Sequence, residues 1–264
     1  MEYIKQLTQF GIQQALSCLF PAAVFCTLAL SKFVHIPFLS RYDFILFLCI
    51  FVQCLMLHFE LESTDELKVI FMFHILGLML EIFKVHMGSW VYPEESLFKL
   101  WGVPLYSGFM YASVASYICQ AWKRLDLRLI DWPGNFVSYP VAGLIYMNFF
   151  THHFFFDVRW IIIVALFIVF GKSRIHFKVN RHQYSMQAIV SFLLIGFFIW
   201  LAENIATFLG AWKYPEQMDT WQIVHLGKIS SWFLLVIISI IIVANLKQLK
   251  YGRPSLGTKP VITK

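Results

Sequence analysis

The stretch that decides the fold is residues 101–122, WGVPLYSGFMYASVASYICQAW, which has no charged side chain and a tryptophan at each end. As an α-helix rising 1.5 Å per residue it would be about 33 Å long, close to the ~30 Å hydrocarbon thickness of a bilayer. Tryptophan is enriched where a helix leaves the membrane. The stretch therefore predicts a membrane-spanning helix.

The rest of the chain has the same apolar character. Of its 264 residues, 59% are hydrophobic and 14% are charged, and its mean hydropathy is +0.68, which is far more apolar than an ordinary globular domain. Backbone groups in hydrocarbon must be paired within their own segment, so continuously apolar runs are helices rather than the alternating strands of a barrel. The composition predicts an all-α, polytopic transmembrane bundle, a single integral membrane domain over residues 1–264.

Charged clusters divide the apolar sequence into eight candidate spans. The first is expected to kink near Pro21 rather than to be a cleaved signal peptide. The fifth and sixth spans are the hardest to divide, because His152, His153 and Asp157 lie between them. The spans are residues 7–31, 44–59, 68–88, 101–122, 133–150, 155–171, 184–209 and 221–246.

The distribution of basic residues predicts the orientation. With eight spans, both termini and the even-numbered loops share one side, and that side holds most of the 21 Lys and Arg. Basic residues favour the cytoplasmic side. This distribution indicates a cell-membrane protein with cytoplasmic termini and a basic cytoplasmic tail at residues 251–264. The net charge of +6 could suggest a nucleic-acid partner, but none is predicted, because the basic residues lie in short clusters between apolar runs and in the tail.

An internal repeat divides the chain into two related halves. Residues 81–94, EIFKVHMGSWVYPE, align without a gap with residues 203–216, ENIATFLGAWKYPE, at an offset of 122 residues and with six identities. An even number of spans separates the copies, so both run in the same direction. We expect two tandem four-helix halves, roughly residues 1–130 and 131–250, in parallel orientation.

The repeated glutamates, Glu81 and Glu203, are the candidate catalytic residues. If Trp90 and Trp212 mark the membrane interface, each glutamate lies nine residues deeper, about 13 Å at 1.5 Å per residue. A carboxylate near the bilayer midplane is costly and usually functional. The alternative for Glu81 is a structural ion pair with Lys84, one turn along the same helix.

The second glutamate needs a partner from another helix or must be protonated by desolvation, because Ala206 occupies the position that Lys84 has in the first copy. Lys228 is expected near Glu203, since it lies seven residues inside Trp221 at a similar depth. The aromatic residues and prolines of the repeat are also compatible with simple interfacial anchoring. The candidate binding residues around the two acids are His74, Lys84, Trp90, Tyr92, Trp212, Tyr214, His225 and Lys228.

No metal or cofactor is predicted. The sequence lacks the H-E-x-x-H, H-x-x-x-H, G-x-x-x-x-G-K-[ST] and G-x-G-x-x-G motifs, which argues against zinc proteases, histidine-box oxygenases, ATP-driven motors and dinucleotide enzymes. His152 and His153 with Asp157 suggest a metal site, but adjacent histidines point to different faces of a helix.

Over essentially its whole length, the chain resembles the YoaT-type bacterial membrane proteins, a family of unknown function. The segments Gly77-LML-Glu81, Gly88-SWV-Tyr92 and Gly102-VP-Leu105 are similar, more distantly, to the signature of membrane carotenoid hydratases, and Tyr92-PE-Glu95 is similar to an acidic motif of heterodimeric lycopene cyclases. The chain departs from the hydratase pattern at Lys84, where a glycine is expected, and the second copy of the repeat lacks the G-V-P-L stretch.

Two functions fit these features. The first is a lipid-phase lyase or isomerase of an apolar isoprenoid, in which the carboxyl group of Glu81 or Glu203 protonates a double bond in a dry site. The second is a transporter of a small molecule or ion, with the two halves rocking about Glu81, Glu203 and Lys228. Aromatic residues around the acids would favour the apolar substrate, because their rings stabilise a developing carbocation. The expected partners are the lipid bilayer and that substrate.

Overall fold

The computed structural model describes residues 2–251, with side chains described for residues 2–247, so the predicted basic tail at residues 251–264 lies beyond the described side chains. The described residues form a helical bundle with two small antiparallel sheets, which confirms the predicted helical fold class. Its helices are α1 (Glu2–Ser17), α2 (Leu19–Leu30), α3 (Arg41–His58), α4 (Thr64–His86), α5 (Ser107–Arg124), α6 (Asn135–Thr151), α7 (Arg159–Phe170), α8 (Ala188–Phe208) and α9 (Lys228–Tyr251), with a 3-10 turn at Pro215–Gln217.

Helices α1 and α2 form one bent segment. They meet at Cys18 with an angle of 62°. Pro21 lies in the first turn of α2, and a proline lacks an N–H and its ring clashes with the carbonyl four residues earlier. That carbonyl belongs to Ser17, the last residue of α1. The kink predicted near Pro21 is therefore confirmed.

The helices run back and forth between two ends of the bundle. At the first end, α4 and α8 both finish, and the loops that follow them pair through Val91 and Lys213. At the second end, the first turn of α4 meets the last described turn of α9 through the ion pair of Glu66 and Lys247, at 2.6 Å. Helices α4 and α8 therefore run in the same direction. We call the first end (residues 86–106, 152–159 and 209–228) the glutamate end, and the second (residues 59–66, 123–134 and 171–187) the basic end.

Four helices of the described chain, α3, α4, α8 and α9, are long and apolar enough to cross a membrane, and the bent pair α1–α2 makes a fifth. The remaining helices differ from the predicted spans in length or burial. Most side chains of α5 are buried in the bundle, α6 contains Pro140, and α7 has only 12 residues. The count of eight membrane crossings stays a prediction.

The first residues of the predicted span 101–122 are not helical. Lys99–Leu100 (β1) pairs with Val103–Pro104 (β2), and the two turn residues between them, Trp101 and Gly102, have φ of 50° and 85°. Positive φ at both central positions is the type I′ geometry, whose twist matches that of a hairpin. The expectation that Trp101 begins a membrane helix is therefore wrong.

A three-stranded antiparallel sheet lies at the basic end. Its strands are Arg128–Ile130 (β3), Arg174–Val179 (β4) and His182–Gln187 (β5), with β4 in the centre. Buried and exposed side chains partly alternate along β4, as expected for a sheet with one covered face. The seventh predicted span, residues 184–209, therefore begins too early, because its first residues belong to β5.

Close helix contacts build the core. Helix α4 packs against α5, α8 packs against α9, and α9 also contacts α4, α5 and α6. The contact of α8 with α9 depends on Gly196, where a Cβ atom would lie 2.9 Å from the backbone nitrogen of Phe233. The pairing of α4 with α5 and of α8 with α9 has the order expected for tandem halves, although the division of the whole chain into two four-helix halves stays a prediction.

We expect Gly196→Ala to lower the free energy of unfolding by roughly 1 to 3 kcal/mol, because the added methyl group must push α8 away from α9. Gly143→Ala is the matched control: Gly143 lies in α6 with no atom within 4 Å of a new Cβ, so alanine there should be neutral or stabilise by about 0.5 to 1 kcal/mol. Unfolding of both variants in detergent tests this. Equal effects of the two substitutions would contradict the close approach at Gly196.

Candidate functional site

The two copies of the repeat have the same local structure. Helix α4 ends at His86 and α8 ends at Phe208, and each is followed by a glycine in the left-handed region, Gly88 with φ 69° and Gly210 with φ 72°. Ser89 N donates to Lys84 O at 2.9 Å, and Ala211 N donates to Ala206 O at 3.0 Å, so each helix ends with a hydrogen bond between residues five positions apart. This is the Schellman arrangement, in which a left-handed glycine reverses the chain. Each loop therefore folds back over its own helix.

Side chains from these loops reach back to the glutamates. Trp90 Nε1 and Tyr92 OH both donate to Glu81 Oε2 at 2.7 Å, and Tyr214 OH donates to Glu203 Oε1 at 2.5 Å. The continuous helix from Glu81 to Trp90, on which the predicted depth of the glutamates rests, is therefore wrong. Both lie five residues before the last helical residue, about 7.5 Å along the axis.

The two loops meet in a locally symmetric contact. Val91 N donates to Lys213 O at 2.9 Å, and Lys213 N donates to Val91 O at 3.0 Å. These residues occupy equivalent positions of the repeat, and their bridge is antiparallel. The ring of Trp90 packs edge-on against that of Tyr214, with centroids 5.8 Å apart. The structure thus brings both copies of the repeat into one site.

Glu81 accepts hydrogen bonds on both carboxylate oxygens and is 3% exposed. In addition to Trp90 and Tyr92, Tyr111 OH donates to Oε1 at 2.7 Å. Three donors suit an ionised carboxylate, which can only accept. Sequence reasoning missed Tyr111, which lies on α5 outside the repeat motif and reaches Glu81 because Gly77 lets its ring approach α4 closely.

The loop tyrosines remain donors. Burial, followed by the charge of Glu81, raises the pKa of Tyr92 well above its ordinary value. Burial and the charge of Glu203 do the same to the pKa of Tyr214. Both phenols therefore keep their protons over the physiological pH range and act as fixed donors to the carboxylates.

Glu203 has fewer donors than Glu81, although it is equally buried. Tyr214 donates to Oε1, and Trp232 Nε1 on α9 donates to Oε2 at 2.8 Å. Trp232 thus supplies the indole N–H donor to Glu203, as Trp90 does to Glu81. Trp212, which is the repeat equivalent of Trp90, lines a cleft beside Glu203 instead. Trp232 was missed because it lies in an apolar span without a distinguishing motif.

Lys228 lies between the two halves of this site. Its ammonium is 4.8 Å from the ring centroid of Trp90 and 4.5 Å from that of Tyr214, distances typical of cation–π contacts. These two rings donate hydrogen bonds to Glu81 and Glu203, respectively, so the ammonium lies near both carboxylates. The described residues contain no ion pair of Lys228 within 4.0 Å. The contact predicted between Lys228 and Glu203 is therefore not a hydrogen-bonded ion pair. The ammonium of Lys228 lies instead against the ring of Tyr214, whose hydroxyl group donates to Glu203.

Two predicted histidines lie outside the site. His225 is exposed and precedes α9, because that helix begins at Lys228 and residues 221–227 are not helical. His74 packs edge-on against Phe109, with ring centroids 4.6 Å apart. Neither histidine is hydrogen-bonded to either glutamate.

Lys84 also has different partners from those predicted. Its ammonium contacts Nε2 of His152 at 3.2 Å and Nε2 of His153 at 2.8 Å. The structural ion pair with Glu81 is therefore wrong, although the two side chains share a helix face. Across the part of the chain that the structure describes, no group of three or more His, Cys, Asp or Glu side chains is placed to hold a metal ion.

The first half of the chain also supports the end of α8. Arg41, at the start of α3, donates to Leu209 O at 2.6 Å and to Gly210 O at 3.1 Å. Carbonyls at the end of a helix lack partners within the helix, so these bonds satisfy them. The same guanidinium pairs with Glu94 at 2.5 Å. The second copy of the repeat is thus held by residues of the first half.

An apolar cleft of about 710 Å³ lies beside Glu203. Its lining residues come mainly from the bent pair α1–α2, from α5 and from α8, with further residues from β3, β4, β5 and α9. Its wall extends from Phe10 and Phe177 near the basic end to Glu203 and Trp212 at the glutamate end. Among the described residues of this wall, Glu203 is the one acidic or basic side chain.

Comparisons with known proteins agree on the family. A family model described as "Protein of unknown function (DUF817)" matches residues 6–240. The uncharacterized protein YoaT of Bacillus subtilis (strain 168) is 58% identical over 255 residues, which cover 97% of each chain. The predicted resemblance to the YoaT-type proteins is therefore confirmed, while that to carotenoid hydratases and lycopene cyclases stays a prediction.

A solved structure shares the fold. The crystal structure of a cross-linked MvINS trimer aligns with a TM-score of 0.52, over 74% of this chain and 98% of its own chain. The sequence identity is 13%, so this likeness concerns the fold alone.

A double-mutant cycle tests the arrangement of the site. We expect Glu203→Gln to lower the free energy of unfolding more in the presence of Lys228 than in a Lys228→Met background, because the lysine loses a neighbouring carboxylate. The coupling should be on the order of 1 kcal/mol. The exposed Glu95 is the control, and Glu95→Gln should be additive with Lys228→Met. Additive effects at Glu203 would contradict the interaction.

Proposed function

The chain belongs to the DUF817 family of proteins of unknown function, and from that premise we propose that it is an integral membrane enzyme that binds an apolar lipid in its cleft and exchanges a proton with it through Glu203. The observation that carries this proposal is the position of one buried carboxyl group in the wall of an otherwise apolar cleft. The reaction class that suits it is isomerisation or a lyase reaction of an isoprenoid double bond.

The membrane location rests on the exterior of the bundle. Helices α3, α4, α8 and α9 are long and apolar enough to cross a membrane, and large apolar side chains such as Phe71, Ile168 and Phe198 are more than half exposed. Such a surface suits lipid better than water. The basic residues of the loops gather at the basic end, so we assign this end and both termini to the cytoplasm.

The cleft has the proportions of a single extended chain. Its wall follows α8 from Ser191 to Ala206, about 22 Å at 1.5 Å per residue. That length, together with a volume of about 710 Å³, accommodates an extended hydrocarbon or isoprenoid chain.

Glu203 is better suited to proton transfer than Glu81. Glu81 accepts three hydrogen bonds and does not line the cleft, whereas Glu203 accepts two and does. A positioned carboxyl group in a dry site can act as general acid and base. The charge of Lys228 stabilises the carboxylate after its proton has left.

Isomerisation needs no reactant other than the lipid. The reaction starts from the protonated form of Glu203, whose carboxyl O–H adds its proton to one carbon of a C=C bond and leaves the neighbouring carbon cationic. The carboxylate that accepts from Tyr214 and Trp232 is the form that follows this proton transfer. Loss of a proton from the next carbon to the same carboxylate moves the double bond and restores the acid. Trp212 and Trp232 line the cleft beside Glu203, where aromatic rings stabilise a cation. Transport of an ion or small metabolite, the alternative function, is less well supported because this wall is apolar.

The proposed orientation is tested with reporter fusions. Fusions after Lys123 and after Lys247 should both report the cytoplasm, because both residues lie with the basic end. A fusion after Glu94, in the loop at the glutamate end, should report the opposite side. A reversed reading at any of the three positions would overturn the assignment.

Proton transfer is tested by deuterium incorporation from D₂O. Purified protein incubated with a total membrane-lipid extract should introduce carbon-bound deuterium into one lipid species, seen by mass spectrometry after back-exchange in water. Glu203→Gln should abolish this incorporation because an amide cannot donate a proton at neutral pH, whereas Glu95→Gln should leave it unchanged. Incorporation that survives Glu203→Gln, or its absence from the unmodified protein, would contradict the proposed chemistry.

Lipid binding is measured separately by the lipids that copurify with the protein. Ala202 lines the cleft beside Glu203, and Ala202→Phe should displace the lipid by filling that space. Ala142→Phe, a helical alanine outside the cleft wall, is the control. A copurified lipid that is unaffected by Ala202→Phe would place lipid binding elsewhere.

A further inference from the structure

Lys84 is a buried cation whose direct partners carry no negative charge. The residue is 7% exposed, and its ammonium contacts the ring nitrogens of His152 and His153. Among the described residues, no carboxylate oxygen lies within 4.0 Å of this ammonium. Burying an ammonium is costly unless it is paired with an anion. The site therefore has the chemistry to hold an anion.

The two imidazoles act as acceptors towards Lys84. His152 Nδ1 lies 2.8 Å from Asn148 O, and a carbonyl only accepts, so Nδ1 carries the proton and Nε2 accepts from Lys84. Burial and the charge of Lys84 lower the pKa of His153 to about 4. The neutral His153, which also accepts through Nε2, keeps an Nδ1–H as a further donor.

A guanidinium adds a second cation to this place. Arg159 lies at the start of α7, six residues after His153, and its positive charge repels that of Lys84. Its Nη1 donates to Ser230 Oγ at 3.2 Å, and its Nη2 pairs with Asp157 at 3.3 Å. Asp157 thus neutralises part of the guanidinium, but Arg159 Nε is buried and has no hydrogen-bond partner in the described structure. That N–H is a free donor.

We propose that Lys84, His153 and Arg159 form a binding site for a phosphate group, from free phosphate or from a lipid headgroup. A tetrahedral oxyanion can accept hydrogen bonds from an ammonium, an imidazole N–H and a guanidinium N–H together. The residues lie where α4 and α6 end and α7 begins, at the glutamate end. None of the three lines the apolar cleft, so this site is separate from the proposed proton transfer at Glu203.

The first arm of the test uses inorganic phosphate and the full chain in detergent, with ionic strength held constant by chloride. Phosphate should raise the thermal unfolding temperature of the unmodified protein. Lys84→Met should weaken phosphate binding about tenfold or more, the factor expected for loss of one charge-assisted hydrogen bond. Arg159→Gln should also weaken it. Lys172→Met removes an exposed cation outside the site and should leave phosphate binding unchanged.

The second arm distinguishes a lipid source from a free anion. The same proteins are placed in nanodiscs of phosphatidylcholine alone or of phosphatidylcholine with phosphatidylglycerol. Stabilisation by phosphatidylglycerol that is lost in Lys84→Met identifies a headgroup site, and stabilisation by inorganic phosphate alone identifies a free-anion site. The proposal is overturned if neither probe stabilises the protein, or if Lys84→Met and Lys172→Met respond to both probes as the unmodified protein does.

Discussion

The burial of two carboxylates, Glu81 and Glu203, is the constraint on which the rest of the site depends. A buried carboxylate without donors is strongly unfavourable, so the chain must bring donors to it. It does so by reversing after each helix at a left-handed glycine, Gly88 or Gly210, which returns aromatic N–H and O–H groups to the helix they follow. Lys228, which lies over two of these rings, then supplies a positive charge between the acids.

The two copies of the repeat share this architecture but not their chemistry. Tyr111 is the third donor to Glu81. The residue 122 positions further along the chain is Phe233, which lacks a hydroxyl group. Glu203 consequently accepts fewer hydrogen bonds and lies in the wall of the apolar cleft. Both glutamates are enclosed by hydrogen-bond donors, but Glu203 also borders the cleft. The difference at this one position, tyrosine at 111 and phenylalanine at 233, accounts for this asymmetry.

Buried charge also joins the halves at the basic end. Glu66 at the start of α4 pairs with Lys123 at 2.9 Å and with Lys247 of α9 at 2.6 Å. Removing one partner from such a buried network leaves an uncompensated charge, which is strongly destabilising. The network therefore fixes the register of α9 against α4, and with it the position of Lys228 beside the glutamates at the opposite end.

The sequence by itself determined the helical class, the shared direction of α4 and α8, and the equivalence of Glu81 and Glu203 in the repeat. Long apolar runs, residue offsets and rare motif residues are local properties of the chain. Tertiary structure alone decided where each helix stops and what each polar group touches. The sequence predicts a third span that extends to Gly88 and a fourth that begins at Trp101, but both residues have positive φ and lie in turns outside the helices. The partners of Lys84 and the donor Tyr111 come from other helices, and their proximity depends on packing that no local pattern encodes.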